Sequence, residues 1–256
     1  LLKIRFLGIL NSEIKRKKDN QKLMIKKSLD LEFQFNSQYP LIAGVDEAGR
    51  GALAGPIVVA AVILPTNFTS PLIQDSKILE PFQREKVYHL IKKNALEYNT
   101  VFKDPRQIEE KNPLRATQEA MVEAILKLKK TPDLCLVDGK EEIKAGVIKT
   151  LSIIGGDRKS INIAAASIIA KVTRDHYMQK IHSRYPFYNW FKNKGYPDQT
   201  HLQAIFSYGV CLFHRKNYEP IKSLLQPNCD LQKIREKYRK LLSSSGSINC
   251  HKNSKT

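Results

Sequence analysis

Two adjacent acids, Asp46 and Glu47, follow directly on the apolar run Leu41-Ile42-Ala43-Gly44-Val45, and a third, Asp138, ends the run Leu134-Cys135-Leu136-Val137. Carboxylates are seldom fully buried unless they are paired or bound to a cation. If the two runs are neighbouring strands of one sheet, their acids converge, and hard oxygen ligands of this kind suit Mg²⁺ or Mn²⁺. The competing reading makes them strand-end acids that face water. Successive strand residues point to opposite faces, so Asp46 and Glu47 share a site only where the strand bends or ends. Gly49 and Gly51 supply that bend; they also let backbone approach a ligand closely, with Arg50 in reach of a phosphate. The run from Gly49 to Gly55 spaces its glycines one residue out from a dinucleotide fingerprint and is followed by a strand pattern, while Gly155-Gly156-Asp157-Arg158-Lys159-Ser160 lacks the spacing of a phosphate loop. Cys135, Cys211, Cys229 and Cys250 are far apart, with no His at ligand spacing, which argues against a zinc site or a disulfide framework.

The elements that must position these acids alternate. Leu41–Val45 and Pro56–Leu64 read as buried strands, the second rich in β-branched residues. A helix is expected over Pro81–Tyr98, and another over Pro113–Lys130 with an apolar stripe from Ala116 to Leu128. A strand follows at Leu134–Val137, and the Ala-rich segment Ile161–Val172, apolar nearly all round, reads as a helix buried in the core. Gly195, Pro186 and Pro197 then mark turns, with short helices at His201–Tyr208 and Glu219–Leu225 and a Lys/Arg-rich helical segment after Gln226. This order predicts an α/β sandwich with a small helical C-terminal part.

The net charge of +18 suits a polyanionic partner such as nucleic acid. Its location weakens that inference, because residues 1–30 carry an excess of +6 and residues 229–256 an excess of +5, as solvated basic arms commonly do. Three regions are therefore expected: a basic N-terminal extension over 1–40, a catalytic domain over 41–226, and a basic, partly disordered tail over 227–256. No apolar run approaches the ~20 residues a membrane helix needs. Leu1–Leu10 lacks a small-residue cleavage site and does not read as a secretory signal, so a cytoplasmic, monomeric protein with reduced thiols is expected.

Several short motifs resemble one family, in order and at suitable spacing. They are Ala43-Gly44-Val45-Asp46-Glu47-Ala48-Gly49-Arg50-Gly51, Ala54-Gly55-Pro56, Asp75-Ser76-Lys77, Val137-Asp138-Gly139, Gly156-Asp157-Arg158-Lys159-Ser160, and Ala164 through Asp175. Together with Lys194-Gly195-Tyr196, His201, Ala204-Ile205 and His214-Arg215, they resemble ribonuclease HII over roughly residues 41–225. The resemblance implies an RNase H-like fold, a mixed central sheet flanked by helices, with Asp46, Glu47, Asp138 and Asp157 as catalytic carboxylates that hold two Mg²⁺ or Mn²⁺ ions. It implies hydrolysis of the RNA strand of RNA–DNA hybrids, and cutting 5′ of ribonucleotides embedded in duplex DNA, to leave 5′-phosphate and 3′-hydroxyl. Gly49, Arg50, Gly51 and Tyr196 would read the ribose 2′-hydroxyl, the group that separates RNA from DNA. Lys77 and Lys159 would contact phosphate, and a tail could meet a sliding clamp.

Each assignment has a plainer competitor. Asp157 can cap the helix that follows. Asp175, four residues after Lys171, reads as half of a structural ion pair, and His201 and His214 read as structural. Two departures stand out: Asp198 where the family usually has Thr, and Asn217-Tyr218 in place of Ser-Phe. The rival functions are an RNase H-like DNA nuclease of the junction-resolvase type and a catalytically silent nucleic-acid-binding protein. Like charges gathered without a cation would repel, which argues against the second.

Overall fold

The computed structural model describes residues 31–73 and 79–239. Residues 1–30, 74–78 and 240–256, which include most of both basic tails and Lys77, lie outside the described residues. The described residues divide into two compact units, one of residues 31–50, 56–73 and 79–176, the other of residues 51–55 and 177–239.

The first unit is built on a mixed five-stranded sheet in the order β3-β2-β1-β4-β5. Its strands are β1 (Ile42–Ala48), β2 (Ile57–Ile63), β3 (Glu97–Lys103), β4 (Leu134–Asp138) and β5 (Lys149–Ile153). β1 pairs antiparallel with β2 and parallel with β4, so the carboxyl ends of β1 and β4 lie side by side. Every residue of β2 is buried, as a strand covered on both faces requires. Helices α1 (Pro81–Asn94), α2 (Pro105–Lys111), α3 (Pro113–Leu126) and α4 (Ile161–His182) supply the cover. α4 and α1 bury Ile161, Ala165, Ile168, Ile169, Val87 and Ile91 against Ala60 and Val62 of β2. α3 packs on β1, β2 and β3. Residues 31–39 also contribute: Leu31, Phe35 and Tyr39 lie on a cluster of Ile42, Leu134, Leu136 and Ile163.

The structure corrects several expected boundaries. The helix from Pro81 stops at Asn94, because Ala95 turns extended (φ −61°, ψ 136°) and strand β3 begins at Glu97. The helix from Pro113 ends at Leu126 rather than Lys130, and α4 runs ten residues past Val172 to His182. β3, β5 and α2 were not foreseen, although Asp104-Pro105 with Gln107 forms the capping box that starts α2.

The second unit is helical. It comprises the last turns of α4, α5 (Trp190–Asn193), α6 (Gln199–Tyr208), α7 (Ile221–Leu224) and α8 (Leu231–Lys237). Met178, Ile181, Tyr188, Trp190, Leu202, Ile205 and Ile221 close its core around Leu53 and Ala54. Among the described residues no helix is long and apolar enough to cross a membrane.

Candidate active site

The register of two parallel strands builds the site. Val45 on β1 stands opposite Val137 on β4, which puts Asp46 and Asp138 one residue further along on neighbouring strands. β1 does not end at these acids: it stays paired with β2 through Ala48, with Asp46 opposite Ala60 and Glu47 opposite Val59. Pairing to β4 stops at Val45, however, so Asp46, Glu47 and Ala48 continue along β2 alone. The break comes at Gly49, whose φ of +93° only glycine adopts readily.

Asp46 is 6% exposed. Burial, then the charge of Glu47, then that of Asp138 hold its carboxyl well above the usual carboxylate range; a hydrogen bond with the Ser167 side chain of α4 and one from the Glu47 backbone N–H at 2.6 Å pull the other way. Burial also pushes Glu47 up, as does Asp138, while the Arg50 guanidinium, 3.4 Å away, opposes them. Asp138 Oδ1 accepts the backbone N–H of Gly156 at 2.7 Å. A β-carbon on Gly156 would meet Ile163 Cδ1 at 2.5 Å and Asp138 Oδ1 at 3.3 Å, so a larger residue there would push on the Ile163 side chain and on the carboxylate. The next residue is Asp157, buried at 3% exposure within the 3₁₀ turn Gly156–Arg158. At the amino end of α4, Ser160 Oγ accepts from Ile163 N at 3.1 Å and Glu32 accepts from Asn162 N at 3.0 Å.

The arrangement brings Asp46, Glu47 and Asp138 within each other's fields, and the Gly156 N–H ties the Asp157 loop to Asp138. Among the described residues, no three His, Cys, Asp or Glu side chains enclose a metal site by themselves. A Mg²⁺-type cation does not need such a cage, because it keeps several waters and is commonly held by one or two carboxylates together with substrate phosphate. Buried, mutually repelling oxygen donors that favour protonation are the donor set such a cation relieves, so these residues fit it.

The remaining candidates are spread. Gly49 lies against the buried Arg174, whose Nε donates to Pro56 O at 2.9 Å; a β-carbon there would stand 2.0 Å from Arg174 Nε. Arg50 is half-exposed beside Glu47, and the space around Gly51 is open. Lys159 donates from Nζ to Ile154 O of its own loop at 2.8 Å. Lys171 and Asp175 pair at 2.7 Å, as their spacing predicted. In the second unit, Tyr196 is half-buried and follows Gly195, whose carbonyl accepts from Leu53 N at 2.8 Å. Asp198 caps α6, accepting from His201 N at 2.8 Å; Thr and Asp serve this position alike, which accounts for the departure there. Tyr218 replaces a Phe and accepts a hydrogen bond from Arg215 Nη1 at 3.2 Å. Ser167 and Arg174 lie in the motif that resembles the family, but the sequence gives them no role, and Glu32 carries no local signal at all.

The sequence model of the ribonuclease HII family matches residues 43–220. The chain belongs to the ribonuclease HII family. It is 45% identical over 202 residues to the ribonuclease HII of Mycoplasma mycoides subsp. mycoides, covering 79% of this chain and 98% of that one. A solved structure of ribonuclease H2 from Pyrococcus horikoshii aligns with a TM-score of 0.62 at 27% identity, over 78% of this chain and 99% of that one. The structure of a PCNA:RNase HII complex from Archaeoglobus fulgidus aligns with a TM-score of 0.61 at 26% identity, over 70% of this chain and 95% of that one. The α/β fold with a mixed sheet is that of ribonuclease HII, and the chain is a ribonuclease H, an endonuclease.

Proposed function

We propose that this ribonuclease H hydrolyses the RNA strand of RNA–DNA hybrids and cuts 5′ of single ribonucleotides embedded in duplex DNA, leaving 5′-phosphate and 3′-hydroxyl ends. The observation that carries the reading is the Val45–Val137 register, which aligns the carboxylates of Asp46 and Asp138 beside Glu47. Asp46, Glu47, Asp138 and Asp157 would hold two Mg²⁺ or Mn²⁺ ions, which when bound supply an activated water and stabilise the leaving oxygen of an in-line displacement. The chain's own part is to keep these acids fixed. Ser167 and the Glu47 N–H orient Asp46, and the Gly156 N–H orients Asp138. Arg50 is assigned to a phosphate, which its exposure and the open space at Gly51 support, and Tyr196 to the sugar that carries the 2′-hydroxyl. Lys77 and Lys159 are secondary phosphate contacts. Contact with a sliding clamp is proposed from the similar Archaeoglobus protein, solved in complex with PCNA. A monomer working in the cytoplasm is the expected setting.

The test is cleavage of an end-labelled DNA duplex carrying one ribonucleotide, beside an all-DNA control, with Mg²⁺, Mn²⁺ or EDTA. A metal-dependent cut 5′ of the ribonucleotide, absent from the control and from Asp46→Asn, is expected. Equal cutting of all-DNA would move the assignment to a DNA nuclease, and no cutting to a binding protein.

A further inference from the structure

The second unit holds a chain of side-chain hydrogen bonds that ends on the residue proposed to read the ribose. His201, His214 and Trp190 are each at most 1% exposed, and the two imidazoles share a hydrogen bond between their Nε2 atoms at 3.1 Å. Its proton can be placed. The backbone N–H of Cys211 donates to His214 Nδ1 at 3.0 Å, so that nitrogen is an acceptor and the neutral ring carries its proton on Nε2. His214 Nε2 therefore donates to His201 Nε2. Trp190 Nε1, which can only donate, points at the same His201 Nε2 from 3.0 Å and leads to the same assignment independently. The proton of His201 is then on Nδ1, which donates to the carbonyl of Tyr196 at 2.9 Å.

Tyr196 is held elsewhere too. Its N–H donates to Asn193 O at 2.9 Å, and its carbonyl also accepts from Asp198 N at 2.9 Å. The preceding Gly195 has φ +81°, and a β-carbon on it would lie 2.5 Å from Ala54 O. Its carbonyl takes hydrogen bonds from Leu53 and Ala54, three residues or fewer from Gly51. Both peptide groups of Tyr196 are thus fixed, and the segment that follows Gly51 is fixed with them.

We propose that His201 is a positioning residue for substrate recognition, at the end of a relay in which His214 and Trp190 lock its tautomer and its Nδ1–H fixes the backbone of Tyr196 so that the tyrosine side chain meets the sugar at the RNA–DNA junction. The proposal rests on the reading of Tyr196 as a sugar contact. A structural role alone would make the two imidazoles matter equally for every substrate. A positioning role ties them to the contact that Tyr196 makes.

The experiment is a double-mutant cycle of His201→Ala and Tyr196→Ala, read as kcat/KM on a duplex with one ribonucleotide and on a long RNA–DNA hybrid, with His201→Asn as the rescue variant. The Asn side-chain N–H sits near the place of Nδ1, so it keeps the bond to Tyr196 O while losing the acceptor for Trp190 and His214. The protein's one tryptophan is Trp190, so its emission reports the relay separately from the unfolding midpoint. His201→Ala should lower single-ribonucleotide cleavage by up to about 100-fold, the cost of misplacing a positioned group. The loss on long hybrid should be smaller, and adding it to Tyr196→Ala should cost little more. His201→Asn should recover most of the activity even though Trp190 emission shifts. Effects of His201→Ala and Tyr196→Ala that multiply, or a folded His201→Asn as poor as the alanine variant, would overturn the relay. A wild type that cuts the ribonucleotide duplex while Tyr196→Ala is fully active removes the sugar contact and the relay with it. A wild type that cuts neither substrate removes the proposed function itself.

Discussion

A β-carbon placed on Gly44 of β1 would stand 2.0 Å from the carbonyl carbon of Asn162 at the start of α4, backbone against backbone. The sheet and its central helix touch at that point, two residues before Asp46 and five before the Ser167 that hydrogen-bonds to it. Gly44→Ala should therefore cost about 3 kcal/mol or more, at the upper end of overpacking penalties, because neither neighbour is a flexible side-chain tip. Urea unfolding measures it; a wild-type midpoint would mean that α4 can lift off β1 freely.

Charge at the acidic site opposes folding when no cation is present. Asp46 is buried, and Glu47 and Asp138 both disfavour its ionised form. Asp46→Asn keeps the acceptor oxygen and drops the charge. It should abolish cleavage, leave duplex binding intact, and raise the metal-free Tm near neutral pH, each kcal/mol of relief being worth about 2–4 °C in a domain of this size. Thermal melts in EDTA and with added Mg²⁺ decide it, since the variant should also lose the cation-induced rise seen in wild type. A lower metal-free Tm would contradict the repulsion.

Glu32 closes the amino end of α4. It accepts from Ser160 Oγ, from the backbone N–H groups of Ile161 (3.3 Å) and Asn162 (3.0 Å), and from Asn162 Nδ2 (3.2 Å). A carboxylate there also meets the positive end of the helix dipole. Glu32→Gln turns a donor toward donors and should cost about 1–2 kcal/mol. Hydrogen exchange at Ile161 and Asn162 should speed up with it, whereas unchanged protection would show that Ser160 suffices.

Acid should weaken the second unit. Burial holds His201 down to about 4 and His214 down to about 3, against 6.5 for a free imidazole. Between those values the unfolded chain binds protons that the folded chain refuses, so stability falls as pH falls. The contribution is complete above about pH 6.5, shrinks through about pH 4 for His201 and about pH 3 for His214, and is flat below. Melts from pH 7 to pH 4 should show a shallower slope for His214→Gln than for wild type. Equal slopes would mean that the rings are already charged when folded.

Local chemistry wrote much of this protein into its sequence. The apolar runs before Asp46 and Asp138 became β1 and β4, and the Ala-rich stretch after Ser160 became α4, because burial on all sides demands continuous apolar residues. The family motifs could be read from one sequence because they are contiguous. The two strands that were missed, Glu97–Lys103 and Lys149–Ile153, are the sheet's edges, half-exposed and polar enough to carry no strand pattern, and only their pairing with β2 and β4 makes them strands. The function of single residues was equally non-local. Ser167 is one hydroxyl in an apolar helix until α4 lies on β1, and Glu32 is one acid near a basic tail until it meets Ser160, 128 positions later. His201 and His214 are buried, but which ring nitrogen holds a proton is decided by Trp190 and Cys211, partners that only folding brings to them. Sequence fixes what a side chain can donate or accept, and packing decides to whom, because a buried polar group must find its partner within about 3 Å wherever the chain happens to bring one.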